Sequence, residues 1–150
     1  MTDENILVSK ILYKLFSSLP VDFAYLYGSR VGNSIDKFSD FDIGVIFEEN
    51  LSKKARFELQ LQLFSDISKI LKVSTDQVDV VDIIGVPVLL QFNIISGKII
   101  YYKNINRKIM VESKIMADYH DYHYYLDLYL RETLDKIRKG VYFDRYIPYA

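Results

Sequence analysis

Residues 23–47 read FAYLY, then GSRVGNSIDKFSD, then FDIGVIF: two apolar runs joined by a polar stretch that opens on Gly28-Ser29 and closes on Ser39-Asp40. Both runs have the length and the aromatic and β-branched content of short buried strands, and Gly28-Ser29 breaks the first of them. Gly28 presents backbone without a side chain and Ser29 a hydroxyl, so a phosphate can approach both closely; Gly32 and Asn33 tolerate positive φ and let the loop curl. Asp40, just before the second run, and Asp42 inside it stand two apart. Side chains alternate along a strand, which puts both carboxylates on one face with Cα atoms roughly 6.5–7 Å apart. Such a pair suits Mg²⁺, which takes oxygen ligands and fills its octahedron with water and substrate phosphate. Gly44, next on that face, is expected to leave room for a nucleotide.

Two metals about 3.5–4 Å apart clamp the attacking and leaving oxygens of an in-line displacement at phosphorus, and that arrangement needs a further carboxylate. Gln77-Val-Asp-Val-Val-Asp-Ile-Ile84 reads as a third strand and offers Asp79 and Asp82. Three apart, they face opposite sides, so only one can join the pair. Asp79 lies inside the strand, where an unpaired carboxylate is costly and a metal would account for it. Asp82 lies nearer the end, where solvent or a helix N-terminus can satisfy it. Parity alone does not choose between them.

Around these strands the pattern is helical. Leu7, Ile11 and Leu15 beside Val8, Leu12 and Phe16 mark a helix over residues 4–18, stopped before Pro20. Phe57, Leu61, Phe64, Ile67 and Leu71 mark another over 52–71. Pro87 is placed to open a short helix at its first position, running to Ile95 and capped by Gly97. Residues 98–102 follow as an edge strand, and 104–139 as helix with a break near Asp118. The expected architecture is a small α/β (α+β) domain: residues 1–103 form a mixed sheet flanked by helices, and 104–150 a C-terminal helical extension of the same domain.

With 150 residues, half of them hydrophobic and about a quarter charged, the chain can bury one core without disulfides, and it has no cysteine. Thiolate catalysis and Cys-ligated zinc are thereby excluded. The acidic N-terminus lacks the pattern of a signal peptide, and no apolar run approaches the ~20 residues needed to cross a bilayer. A soluble, cytoplasmic protein is expected. A net charge of −1 without a basic run argues against general nucleic-acid binding.

Gly28-Ser29, then Ser39-Asp40-Phe41-Asp42, then Val78-Asp-Val-Val-Asp82, resemble the minimal nucleotidyltransferases of the DNA polymerase β superfamily, and in particular the antitoxins (MNT) paired with HEPN-domain toxins. An isolated Asp-x-Asp is usually a turn; the combination carries the resemblance, which extends over most of the chain. It implies the nucleotidyltransferase fold, ATP as substrate, and two Mg²⁺ ions held by Asp40 and Asp42, with Asp79 ligating the second and helping to deprotonate the attacking hydroxyl. Gly28, Ser29, Arg30 and Ser39 would bind the nucleotide. Many members carry a basic residue followed by glycine where this chain has Gly32-Asn33, and Arg30 would then supply the charge. The implied reaction is AMP transfer onto a tyrosine of the partner toxin. The alternative is a non-catalytic antitoxin that binds its partner through the C-terminal helix, where Tyr122, Tyr125 and Tyr129 recur at helical spacing. Transfer to a small molecule usually requires an additional domain for which this chain has little length. No arginine shortly precedes His120 or His123, as the HEPN nuclease motif requires, so the chain is not the toxin; this histidine pair reads as a polar–aromatic surface rather than a metal site.

Overall fold

A computed structural model describes residues 3–31 and 40–141. Among the described residues four strands and four helices follow in the order α1 (Asp3–Ser17), β1 (Val21–Tyr27), β2 (Phe41–Phe47), α2 (Lys53–Leu71), β3 (Val78–Asp82), α3 (Val88–Ile95), β4 (Lys98–Tyr102) and α4 (Ile105–Arg138). The sheet order is β3-β2-β1-β4. β1 runs antiparallel to both neighbours, whereas β2 and β3 are parallel and joined through α2. All seven residues of β1 are buried, because helices cover both faces of this central strand; its sequence therefore lacks polar alternation.

Two cores result. On one face Leu12 and Phe16 of α1 and Leu63 and Ile67 of α2 pack on Ala24, Leu26, Ile43, Val45 and Val80. On the other, Ile94 and Ile95 of α3 and Ile115 of α4 pack on Phe23, Tyr25, Tyr27 and Ile46. The α2 helix starts at Ser52, whose hydroxyl accepts from Ala55 N at 3.1 Å, and ends on Lys72 in the left-handed conformation at φ 54°.

The structure corrects four local expectations. α4 does not break near Asp118: it runs for 34 residues, about 50 Å at 1.5 Å per residue, and Lys114 Nζ donates to Asp118 Oδ2 at 2.5 Å one turn apart. Pro87 is the N-cap of α3 rather than its first residue, in extended conformation at ψ 151°. Ser96, not Gly97, is the C-cap of α3; Gly97 is needed because a Cβ there would press on Leu26 O and Tyr27 Cβ. The third strand is shorter than 77–84, since Ile83–Gly85 form a 3₁₀ turn.

Arg107 fastens α4 to the sheet. Its guanidinium pairs with buried Asp22 of β1 and with Glu49 after β2, and Tyr25 of β1 donates to Glu112 one turn further along α4. Farther out, Tyr119 stacks on Phe92 of α3 at 3.7 Å, and the His123 ring lies nearly parallel to Tyr119 at 5.8 Å. Beyond this point nearly every described residue of α4 is exposed, including Tyr122, Tyr125, Tyr129, Leu130, Leu134 and Ile137. No described helix is long and apolar enough to cross a membrane.

Candidate active site

At the end of β1 the chain enters a 3₁₀ turn, Gly28–Val31. Antiparallel pairing sets Tyr27 opposite Asp42, and parallel pairing sets Asp42 opposite Asp79. Residues in register on adjacent strands share a face, so Tyr27, Asp42 and Asp79 form a row across three strands on the side of α3 and α4. Asp40, one residue before β2, is exposed at the mouth of this row, and Asp79 is exposed at its far end.

Asp82 is engaged elsewhere. Its Oδ1 accepts from Ile84 N at 3.2 Å, capping the 3₁₀ turn, and its Oδ2 lies 3.4 Å from Arg56 Nη1 of α2. The register, which no local pattern reveals, thus distinguishes the two carboxylates that parity leaves equivalent.

Gly28 sits against the row. Its φ is +74°, and a Cβ there would collide with Asp42 Oδ2, so glycine is required both for the backbone conformation and for close approach to the carboxylate. Ser29 beside it is exposed. Arg30 is buried at 4% exposure with its guanidinium 3.6 Å from the centroid of Phe41, a cation–π contact that ties the turn to the start of β2. Ser39, Gly32 and Asn33 lie outside the described residues.

Gly44 requires a correction. The space above it is filled: a Cβ at this position would collide with Ile94 Cγ2 and crowd Ile83, so the glycine admits α3 rather than a nucleotide. Gly44→Ala should therefore destabilise the fold by about 1–3 kcal/mol through overpacking, as read by chemical denaturation; an unchanged midpoint would show that α3 shifts freely.

The electrostatics of the row follow from crowding. Burial, then the neighbouring Asp79 and Asp40, raise the pKa of Asp42. Burial, then Asp79 and Asp42, push Tyr27 up to about 12, so it stays a neutral hydroxyl at physiological pH. None of Asp40, Asp42 and Asp79 makes an ion pair with another described residue. Hard oxygen donors with no cation paired to them among the described residues fit a divalent cation such as Mg²⁺. Among the described residues no three acidic or imidazole groups are drawn together into a closed metal site, and Mg²⁺ ordinarily completes its shell with water and substrate phosphate rather than a protein cage.

Two features escape sequence reasoning. Tyr27 reads only as strand core, yet its hydroxyl end shares the row. The second is a recess of about 320 Å³ at the outer edge of β3, lined by Lys53, Arg56 and Phe57 of α2 and reaching Asp79. A local signal for it exists: the first turn of α2 holds Lys53, Lys54 and Arg56 and no acid, the reverse of what the helix dipole favours.

Residues 10–106 match the family model described as Polymerase beta, Nucleotidyltransferase. No curated protein matches. Among solved structures the chain is similar to one in a toxin–antitoxin complex with AMP-PNP, at 20% identity, covering 84% of this chain and 98% of that one, with a TM-score of 0.64. A second is a chain in the complex of the tri-AMPylated Shewanella oneidensis HEPN toxin with MNT antitoxin, at 20% identity, 85% and 97% coverage and a TM-score of 0.60. A chain of the MntA–HepT toxin–antitoxin is similar at 19% identity, 85% and 97% coverage and 0.60. At such identities the likeness is one of fold.

Proposed function

Because the chain belongs to the polymerase beta nucleotidyltransferase family, whose model spans most of its length, we propose that it moves AMP from ATP to a tyrosine hydroxyl of a HEPN-type toxin and so acts as that toxin's antitoxin. The observation that carries this reading is the row Asp42–Asp79 in register, with Asp40 at its mouth and the Gly28 backbone pressed against Asp42. Fold likeness to chains from toxin–antitoxin complexes, one of them tri-AMPylated, supports the choice of partner and of AMP as the group transferred.

In this reading Asp40, Asp42 and Asp79 hold two Mg²⁺ ions, which when bound neutralise phosphate charge and favour ionisation of the acceptor hydroxyl. The chain's own residues do the rest. The turn at Gly28 and Ser29 offers backbone and a hydroxyl to the triphosphate, with Arg30 and Ser39 completing the nucleotide site. Gly28 keeps that turn within reach of Asp42, so that nucleotide and carboxylates are positioned together, and positioning supplies much of the acceleration in phosphoryl-type transfer. Asp79, on the exposed edge strand, faces the side from which an acceptor enters and receives its proton. Tyr27 stays protonated beside both carboxylates and is able to orient one of them as a hydrogen-bond donor.

The core of residues 1–103 would then carry the chemistry and the extension 104–150 the partner. The exposed apolar face of α4 also favours a second reading, a cytoplasmic antitoxin that neutralises its partner by binding alone. Incubation with a HEPN-domain partner, Mg²⁺ and ATP labelled on its α-phosphate separates the two. Label should appear on a partner tyrosine with release of pyrophosphate. Neutralisation without labelling would establish the binder, and transfer of a γ-label instead would establish a kinase.

A further inference from the structure

The recess beside Asp79 has a chemistry of its own, and the role assigned to it here rests on the AMP-transfer reading. Lys53 is exposed at its entrance and Phe57 is 59% exposed along its wall. Arg56 is braced between them: Nη1 is tied to Asp82, which is itself held by the 3₁₀ turn, while Nε is buried without a hydrogen-bond partner among the described residues. Three cations crowded into the first turn of α2 oppose the helix dipole, a local conflict of the kind retained where a ligand repays it. Gln60 Nε2 donates to Val80 O at 2.6 Å, so this edge carbonyl of β3 is already satisfied. That contact occupies one of the backbone groups an added strand would use, and it favours recognition by side chains there.

Two cations and an exposed aromatic ring next to the acceptor-side carboxylate suit a phosphate joined to a flat base. An acidic peptide would use the cations but gain little from the ring; a nucleotide uses both. We propose that this recess holds a nucleoside monophosphate unit already attached to the acceptor, so that its ribose hydroxyl becomes the nucleophile of a second transfer. Its phosphate pairs with Lys53 and Arg56 and its base lies on Phe57. The ribose oxygen then bonds to the α-phosphorus of a new ATP, the bond from that phosphorus to the bridging oxygen breaks, and pyrophosphate departs with the electron pair. The hydroxyl proton passes to Asp79 and on to solvent.

Two measurements test this on the full chain. In the first, amide shifts are followed by NMR as 5′-AMP is added without magnesium. Shifts should centre on Lys53–Phe57 and Asp79–Val81, and Lys53→Ala and Phe57→Ala should each weaken them about tenfold. Lys54→Ala should not, because Lys54 lies outside the recess and pairs with Glu58. Shifts confined to Gly28–Arg30, an equal affinity in all variants, or a response to polyglutamate but not to AMP would overturn the proposal. The second measurement counts AMP units on the partner by mass spectrometry. The ratio of second to first additions should fall about tenfold in Lys53→Ala and Phe57→Ala, and a wild type that stops at one unit would overturn the subsite while leaving the transferase reading intact. Absence of any transfer would remove that reading and the second transfer with it; the AMP titration then reports on the recess alone.

Discussion

Asp42→Asn should lower AMP transfer by about 10³-fold or more and at the same time raise the melting temperature of the magnesium-free protein. The two effects share one cause. Burial, and after it the neighbouring Asp79 and Asp40, raise the pKa of Asp42. A carboxyl whose pKa is higher folded than unfolded binds its proton more tightly in the native state, so its ionised form opposes folding above that pKa. The penalty fades as pH falls through it. Asparagine keeps the shape and removes the charge. At pH 8 the variant should melt higher than the wild type by about 2–4 °C for each kcal/mol relieved, and the difference should shrink as acid protonates Asp42 in the wild type. Magnesium should stabilise the wild type and leave the variant nearly unmoved. Thermal unfolding at two pH values, with and without magnesium, reads all of this; a variant less stable than wild type at pH 8 would contradict the crowding.

The third carboxylate gives the other large contrast. Asp79→Asn should be as inactive as Asp42→Asn, because Asp79 shares the face of Asp42 and lacks a structural partner among the described residues. Asp82→Asn should retain most activity on the first addition. Asparagine caps helical turns about as well as aspartate, so the 3₁₀ turn at Ile84 survives, and the loss is confined to the pairing with Arg56. Its cost should appear as a modest fall in stability, since that pair is only partly buried. Rates measured with α-labelled ATP on both variants decide the assignment, and an active Asp79→Asn beside a dead Asp82→Asn would reverse it.

Whatever depends on near neighbours is legible in the sequence. The bounds of Phe41–Phe47 can be read because β-strand composition lies between an acidic start and the Glu48-Glu49-Asn50 stop. The α2 helix is legible from its apolar spacing and its Ser52 cap. Errors arise where distant contacts overrule local pattern. Val21 and Asp22 belong to β1 although Asp22 is charged, because Arg107, far along the chain, pairs with it in the interior. The α4 helix passes through a polar stretch at Asp118 that Lys114 bridges on the helix surface. Gly44 misleads because Ile94, which fills its space, comes from α3 on the far side of β3 in sequence. For the proposed site, spacing singles out Asp40 and Asp42, but only the parallel register sets Asp79 opposite Asp42.

β1 carries the Arg107 clasp at Asp22 and the carboxylate row at Tyr27. Five residues of extended chain separate them by about 17 Å, beyond the range at which substitutions usually interact. Free-energy changes made at the two ends should accordingly sum. The tilt of α4 can drift through evolution, or be redesigned for another companion, without retuning the chemistry at the opposite end of the same strand.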